Sequence, residues 1–493
     1  AAQRVAIIGA GASGLCALKC CLDEGLEPTC FERSKDIGGL WRFEEHSEEG
    51  RASIYRSVII NTSKEMMCFS DFPIPEDFPN YMHNSKIMEY FRMYAQHFDL
   101  LRHIRFRTSV CRVSKCPDFA SSGQWEVVTD SQGKQEAAVF DAVLVCTGHH
   151  TDAHLPLSSF PGLEKFEGWY LHSRDYKNPQ PFLGKRVVVV GIGNSGVDIA
   201  VELSHVAKQV FLSTRHGSWV LHRVADSGYP SDFIYISRFM QLLQNLLPTN
   251  VMSFLVERKL NTRFDHTLYG LKPKHRVFHQ HPTINDDLPN RIISGRVQVK
   301  PNIQEFTETS AIFEDGTREE VDAVVFATGY SFSFPFLEGC VKVVENQIPL
   351  YKFMFPPDLE KPTLAFIGFV QPLGAIMPIS ELQCRWATRV FKGPRAAPPC
   401  HPHPRAPVSN SPAHRYVTSQ RHTIQVDYIP YMDELACQLG VKPNLLTLFL
   451  TDPRLAVEVA FGPCTPYQYR LQGPGAWAGA REAILTQRQR VVR

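Results

Sequence analysis

Short, unbroken apolar runs, each stopped by a turn, recur along this chain. The clearest are Val5-Ala6-Ile7-Ile8 and Val187-Val188-Val189-Val190. Runs this short, rich in β-branched residues and without a polar face predict strands covered on both sides, as in a parallel sheet. Two more runs, Ala142-Val143-Leu144-Val145 and Ala323-Val324-Val325-Phe326, have the same character and close on Cys146-Thr147-Gly148 and Ala327-Thr328-Gly329. Between about 218 and 296 the chain is instead rich in Leu, Phe, His and Arg, partly at helical spacing. Near the end, Leu445-Leu446-Thr447-Leu448-Phe449-Leu450 predicts a helix, with burial in a core favoured over contact with a bilayer.

The chemistry follows the first two strands. Gly9-Ala10-Gly11-Ala12-Ser13-Gly14 and Gly191-Ile192-Gly193-Asn194-Ser195-Gly196 are G-x-G-x-x-G turns between a strand and a helix. Their first Gly permits the tight turn, the second lets backbone approach a pyrophosphate at a helix N-terminus, and the third lets helix pack on strand. One such match is weak; two, about 180 residues apart, suggest two dinucleotides. What comes next distinguishes them. Pro28-Thr29-Cys30-Phe31 ends in Glu32, 18 residues beyond Gly14, where an acid receives the ribose hydroxyls of an unphosphorylated adenosine. Gln209-Val210-Phe211-Leu212 ends instead in Ser213-Thr214-Arg215, whose hydroxyls and guanidinium suit a 2′-phosphate. The acid suits FAD or NAD alike; Gly38-Gly39, which follows in a position that resembles two-dinucleotide flavoproteins, makes FAD the expectation for the first site, and the second is expected to take NADPH. The predicted class is α/β, with two nested Rossmann-like dinucleotide-binding domains and a partly helical insertion. Residues 1–153 and 331–442 are assigned to a discontinuous FAD-binding domain, and 154–217 with 297–330 to the NADPH-binding domain. Residues 218–296 form the insertion and 443–493 the C-terminal segment. Seven prolines among the 19 residues 394–412 predict an exposed, Pro-rich connector over 394–415.

Composition removes several classes. A length of 493 residues suffices for two or three cores. With 52 Lys and Arg against 50 Asp and Glu, there is no global charge case for nucleic acid. Thirteen Cys without a regular frame read as reduced, cytosol-facing thiols. No run of 18 apolar residues and no leader pattern is expected to cross or target a membrane. Cys111 and Cys116 have a C-x-x-x-x-C spacing, but they lie in a strand-like segment some 70 residues beyond Gly39, which disfavours a disulfide reductase. No metal-ligand constellation stands out.

Between the two glycine turns, residues 166–176 read Phe-Glu-Gly-Trp-Tyr-Leu-His-Ser-Arg-Asp-Tyr, which matches F-x-G-x-x-x-H-x-x-x-Y at Phe166, Gly168, His172 and Tyr176. That motif, with Asn61-Thr62-Ser63-Lys64-Glu65-Met66, Phe326-Ala327-Thr328-Gly329-Tyr330 and Gln371-Pro372-Leu373-Gly374, resembles the flavin-containing monooxygenases and related Baeyer–Villiger enzymes. The resemblance covers nearly the whole chain apart from residues near 394–415, where the family has a charged helical stretch without such Pro density. Thr262-Arg263-Phe264-Asp265-His266 and the stretch 281–289 look most like the fifth mammalian, microsomal branch. The resemblance places FAD against Gly9, Gly11, Ala12, Ser13, Gly14, Glu32, Leu40, Trp41, Asn61, Thr62 and Gln371. It places NADP against Tyr55, Ile60, Asn61, Gly191, Gly193, Asn194, Ser195, Gly196, Val197, Asp198, Ser213, Thr214 and Arg215.

The implied activity is an NADPH- and O2-dependent monooxygenase that forms a C4a-(hydro)peroxyflavin. It would oxygenate soft N or S atoms of small molecules, with ketones as a further class. Asn61 is the implied catalytic residue, because an amide donates and accepts without titrating. His172 is implied as a domain-coupling residue, and His281 as a candidate for the ketone reaction. The resemblance also implies association with the cytosolic face of the endoplasmic-reticulum membrane. Relatives of this type end in an apolar anchor, whereas this sequence stops at Arg490-Val491-Val492-Arg493. An uncoupled NADPH oxidase or a catalytically impaired nucleotide-binding homologue is the alternative, and homo-oligomerisation is left open.

Overall fold

The four apolar runs occupy the centres of two parallel sheets, where their lack of a polar face requires them to be. The computed structural model describes residues 2–337, 339–341, 347–393 and 424–492, so the expected connector over 394–415 lies outside the described residues. The first sheet runs in the order Leu364–Phe366, Ala142–Val145, Arg4–Ile8, Glu27–Phe31, Ile104–Arg105, all parallel. The second runs Val297–Lys300, Gln209–Ser213, Arg186–Val190, Ala323–Phe326, Trp169–His172, again all parallel. In each, the strand before the glycine turn sits between the following strand and the Thr-Gly closing strand. Each closing strand is preceded by a three-stranded antiparallel ribbon, Ser109–Lys115 with Trp125–Ser131 and Lys134–Phe140, or Ile303–Phe306 with Ser310–Phe313 and Arg318–Glu320. The same unit thus appears twice.

Apolar side chains cover both faces of each sheet. Val5, Ile7 and Leu144 join one cluster with helices Ala12–Asp23 and Ile376–Lys392, while Ala6, Val143 and Phe366 join another under Trp125. Val187, Val189 and Val325 pack against helix Asn194–Leu203, and Val188, Val324 and Phe326 pack against Phe306 and Phe313. Alternate residues facing opposite clusters explain why the runs carry no polar position. The chain crosses between the two units twice, and the crossing segments pair side by side, Tyr330 opposite Ala153 and Ser331 opposite Asp152.

The insertion opens and closes on a short parallel pair, Val220–Leu221 with Thr283–Ile284, and carries helices Ser231–Tyr235, Arg238–Leu246 and Thr249–Arg263. The helix expected at 445–450 forms as Leu445–Thr451, but burial in a core is corrected: none of its residues is buried, and Leu446 and Leu450 are 73% and 78% exposed. Apolar residues at five of six consecutive positions surround a two-turn helix, so one face cannot bury them all. The described cysteines carry no disulfide.

Candidate active site

Both glycine turns are held by the closing strand of their own sheet. Gly9 has φ +103°, and a Cβ there would stand 2.5 Å from the Cys146 carbonyl oxygen; Gly191 has φ +120° and 2.3 Å to that of Ala327. A Cβ on Gly14 would stand 1.8 Å from the Gly9 carbonyl oxygen, which leaves only glycine there. Helices Ala12–Asp23 and Asn194–Leu203 start at Gly11 and Gly193 with no side-chain cap, so their first N–H groups are open to an anion. Both cradles therefore fit a pyrophosphate.

The residues beyond each cradle differ as their chemistry demands. Glu32 Oε1 accepts from the Ala10 N–H at 3.1 Å, and Oε2 accepts from the Ser34 N–H at 2.9 Å and its hydroxyl at 2.7 Å, which ties the first turn to the strand end. Arg215 is exposed and forms no ion pair among the described residues. Thr214 Oγ1 accepts from the Gly217 N–H at 2.9 Å and keeps its own proton to donate. Two of the expected NADP residues are engaged within the protein. The buried Ser213 spends its only hydroxyl proton on the Pro301 carbonyl at 2.8 Å. Val197 lies wholly inside the helix–sheet core, and its N–H is bonded to the Gly193 carbonyl at 3.0 Å.

Between the two sheets lies a cleft of about 280 Å³. It brings together Leu40, Trp41, Tyr55, Ile60, Asn61, Gln371, His281, Asp198 and the turn Gly193-Asn194-Ser195-Gly196. Gly9, Gly11, Ala12, Ser13, Gly14, Glu32, Thr62, Gly191, Thr214 and Arg215 are not on its walls. Ser13 Oγ meets Ser380 Oγ at 3.2 Å, and Asn194 Oδ1 accepts from the Ile284 N–H at 2.8 Å. The cleft also contains His149, His150, Ser173, Phe332 and Ile424, which no sequence pattern marked. Burial pushes the His149 imidazole down to about 4, which keeps it neutral.

Polar groups in the cleft are bound in pairs. Tyr55 donates to Asp198 Oδ2 at 2.5 Å, and Asn285 Nδ2 donates to Asp198 Oδ1 at 2.9 Å. Burial raises the Asp198 carboxyl and, together with that carboxyl, holds the Tyr55 phenol protonated. His281 Nδ1 lies 2.8 Å from the Pro282 carbonyl oxygen, which can only accept, so this nitrogen is the donor. Asn61 Oδ1 accepts from Arg223 of the insertion, at 2.7 Å from Nη2 and 3.2 Å from Nε. The amide's accepting side is thus already used, and what remains is its pair of donors.

The residues of the F-x-G-x-x-x-H-x-x-x-Y motif work as a brace outside the cleft. Phe166 is in the second sheet's core, and a Cβ on Gly168 would stand 2.5 Å from the Asp322 carbonyl oxygen. His172 Nε2 donates to the Gly329 carbonyl at 2.9 Å while Nδ1 accepts from the Arg174 N–H at 3.1 Å. That carbonyl also accepts from the His154 N–H at 3.0 Å, so His172 grips the crossing between the two units. Burial lowers its basicity, and both nitrogens are occupied, which leaves none to move a proton. Tyr176 donates to Glu202 of helix Asn194–Leu203 at 2.7 Å.

Comparison with known proteins agrees with this geometry. A family described as flavin-binding monooxygenase-like matches residues 2–493. The chain is 66% identical over 494 residues to flavin-containing monooxygenase 5 of Oryctolagus cuniculus, covering 100% of this chain and 93% of that protein. It is 65% identical over 493 residues to flavin-containing monooxygenase 5 of Homo sapiens, covering 99% and 92%. Among solved structures, an S-allyl-L-cysteine S-oxygenase from Allium sativum shares the fold with a TM-score of 0.64 at 23% identity, over 98% of this chain and 99% of that one. Cyclohexanone monooxygenase from Rhodococcus sp. Phi1, bound to NADP+, does so at 0.56 and 18% over 79% and 84%. With two glycine cradles built alike on two parallel sheets and this similarity along its whole length, the chain belongs to the flavin-binding monooxygenase-like family.

Proposed function

We infer that this flavin-binding monooxygenase holds FAD on the first glycine cradle and NADPH on the second, and uses O2 to oxygenate soft nitrogen or sulfur atoms of small molecules, with ketones as a further substrate class. The observation that carries the reading is the convergence of Asn61, Trp41, Gln371 and the uncapped start of helix Asn194–Leu203 on one cleft between the two cradles. Bound FAD supplies the redox centre that takes hydride from NADPH and activates O2. The chain supplies what surrounds it. The first helix N-terminus and Glu32 hold the diphosphate and ribose, while Thr214 and Arg215 hold the 2′-phosphate. Asn61 presents two N–H donors to the reacting region, and Ile60, Trp41, Phe332 and Ile424 exclude water from it. A soft nucleophile needs only to reach the activated oxygen, so no acid or base from the protein has to touch the substrate. Burial keeps His149 neutral, and the Asp198 carboxyl in the same cleft is held by the Tyr55 hydroxyl and the Asn285 amide.

The test is stoichiometric. Purified protein should be yellow, should oxidise NADPH in preference to NADH, and should yield about one sulfoxide per NADPH from a methyl sulfide. Release of H2O2 with no sulfoxide would replace the reading with that of an oxidase.

Association with the endoplasmic-reticulum membrane is part of the same proposal. No described helix is long and apolar enough to cross a bilayer. Support comes from the exposed apolar side chains of three neighbouring helices: Leu242 and Leu246, Leu446 and Leu450, and Phe461. Flotation with vesicles should fall when Leu446 and Leu450 are both changed to Asp, and unchanged flotation would remove this surface from the proposal.

A further inference from the structure

Asn61 is committed on one side before any ligand arrives. Arg223 meets its Oδ1 from both Nη2 and Nε, at 2.7 and 3.2 Å. A guanidinium has five donors and no acceptor, so only the oxygen of the amide can face it. Both Nδ2 hydrogens are therefore turned the other way. Among the described residues no protein group accepts from them, and Asn61 forms part of the cleft wall. The bond is charge-assisted, and it draws electron density from the amide nitrogen, which makes Nδ2 a better donor.

Arg223 is itself fixed at several points. Its N–H donates to Asp286 Oδ1 at 2.7 Å, and its carbonyl accepts from the Tyr81 hydroxyl at 2.8 Å and the Ser231 N–H at 2.8 Å. Its guanidinium lies 5.8 Å from the centre of the Tyr81 ring and forms no ion pair among the described residues. Nine residues on, Asp232 Oδ2 accepts from the Ser63 N–H at 2.8 Å. The insertion thus holds the Asn61-Thr62-Ser63 segment at both ends.

We propose that Arg223 is a positioning residue that locks the Asn61 amide as an obligate hydrogen-bond donor toward the cleft, so that the insertion sets the polarity of this group. The proposal rests on the monooxygenase reading above. An amide without such a partner presents its oxygen or its nitrogen at nearly equal steric cost. An oxygen aimed into the cleft would repel any electron-rich acceptor there.

The experiment uses the FAD-loaded enzyme as wild type, Arg223→Met, Asn61→Ala, the double variant, and Asn61→Asp. The readouts are product formed per NADPH, the NADP+ dissociation constant from flavin fluorescence, FAD content and the melting midpoint. Arg223→Met should weaken NADP+ about tenfold and lower product per NADPH, with FAD content retained. In the Asn61→Ala background the same change should add nothing, because its effect passes through the amide. Asn61→Asp keeps an oxygen for Arg223 but has no N–H; it should fold and yet couple no better than Asn61→Ala. Equal losses from Arg223→Met in both backgrounds would overturn the proposal, as would wild-type coupling in Asn61→Asp. The Asp variant decides alone if Arg223→Met fails to fold. A wild-type protein that binds no FAD would overturn the monooxygenase reading instead.

Discussion

Replacing His172 separates its two bonds, and the structure gives the size of each. The ring is 3% exposed and packs edge-on against Tyr330 with centroids 5.2 Å apart. His172→Ala removes the bond to Gly329 and the acceptor for the Arg174 N–H together. The Gly329 carbonyl keeps the His154 N–H, so that end loses only about 1 kcal/mol net. The Arg174 N–H loses its acceptor, at about 1–3 kcal/mol, and the lost ring adds roughly 1 kcal/mol of packing. The sum is about 3–5 kcal/mol. His172→Asn should cost about 1–2 kcal/mol, because a short amide oxygen can still accept from the N–H two residues on while losing the link to Gly329. Urea midpoints should therefore fall in the order wild type, Asn, Ala. Both variants should bind NADP+ less tightly and retain FAD, since the link they lose joins the crossing segments rather than the first cradle.

The pH dependence of stability gives a second check on the same residue. Burial lowers the folded-state basicity of His172, so the unfolded chain takes the proton first. Its contribution to stability is then present above about pH 6.5 and is lost as pH falls below it. His172→Asn has no such proton and should show a shallower acid-side slope. Equal urea midpoints for Asn and Ala, or identical acid slopes for Asn and wild type, would refute the assigned bonding.

Three further outcomes follow from single residues. Arg215→Ala should raise the KM for NADPH about tenfold and leave NADH use unchanged, because the lost charge-assisted contact touches only the 2′-phosphate. Gly14→Ala should yield protein without FAD, since its Cβ would stand 1.8 Å from a backbone oxygen that forms the cradle; absorbance at 450 nm reads this directly. Burial lifts the Asp232 carboxyl to about 6, so the folded state binds that proton more tightly than the unfolded chain does. Stability from this group is therefore greatest at low pH and declines between about pH 4 and pH 6, by up to about 3 kcal/mol, and Asp232→Asn should flatten that decline in melting midpoint.

How far the sequence reaches depends on the range of each interaction. The two strands and their glycine turns were legible from a dozen residues each, because backbone conformation, helix N-termini and double-sided burial are local properties. Glu32 and Arg215 could be told apart for the same reason: their distance from the glycines is fixed by one strand and one helix. Partner choice across the fold has no such local signature. Ser213 looked like a phosphate donor until the Pro301 carbonyl, 88 residues away, took its proton. The apolar stretch over 445–450 had the composition of a core helix, but in the fold only Leu445 and Leu448 pack against a core while Leu446 and Leu450 face outward. Arg223 reads as one basic residue among many in an insertion rich in Leu, Phe, His and Arg. It acquires meaning only when the fold brings it to Asn61, 162 positions away in the chain. Sequence alone thus determined which dinucleotides this protein is built to hold. The tertiary structure decided which way its active-site amide faces, because a hydrogen bond has a direction that residue type does not encode.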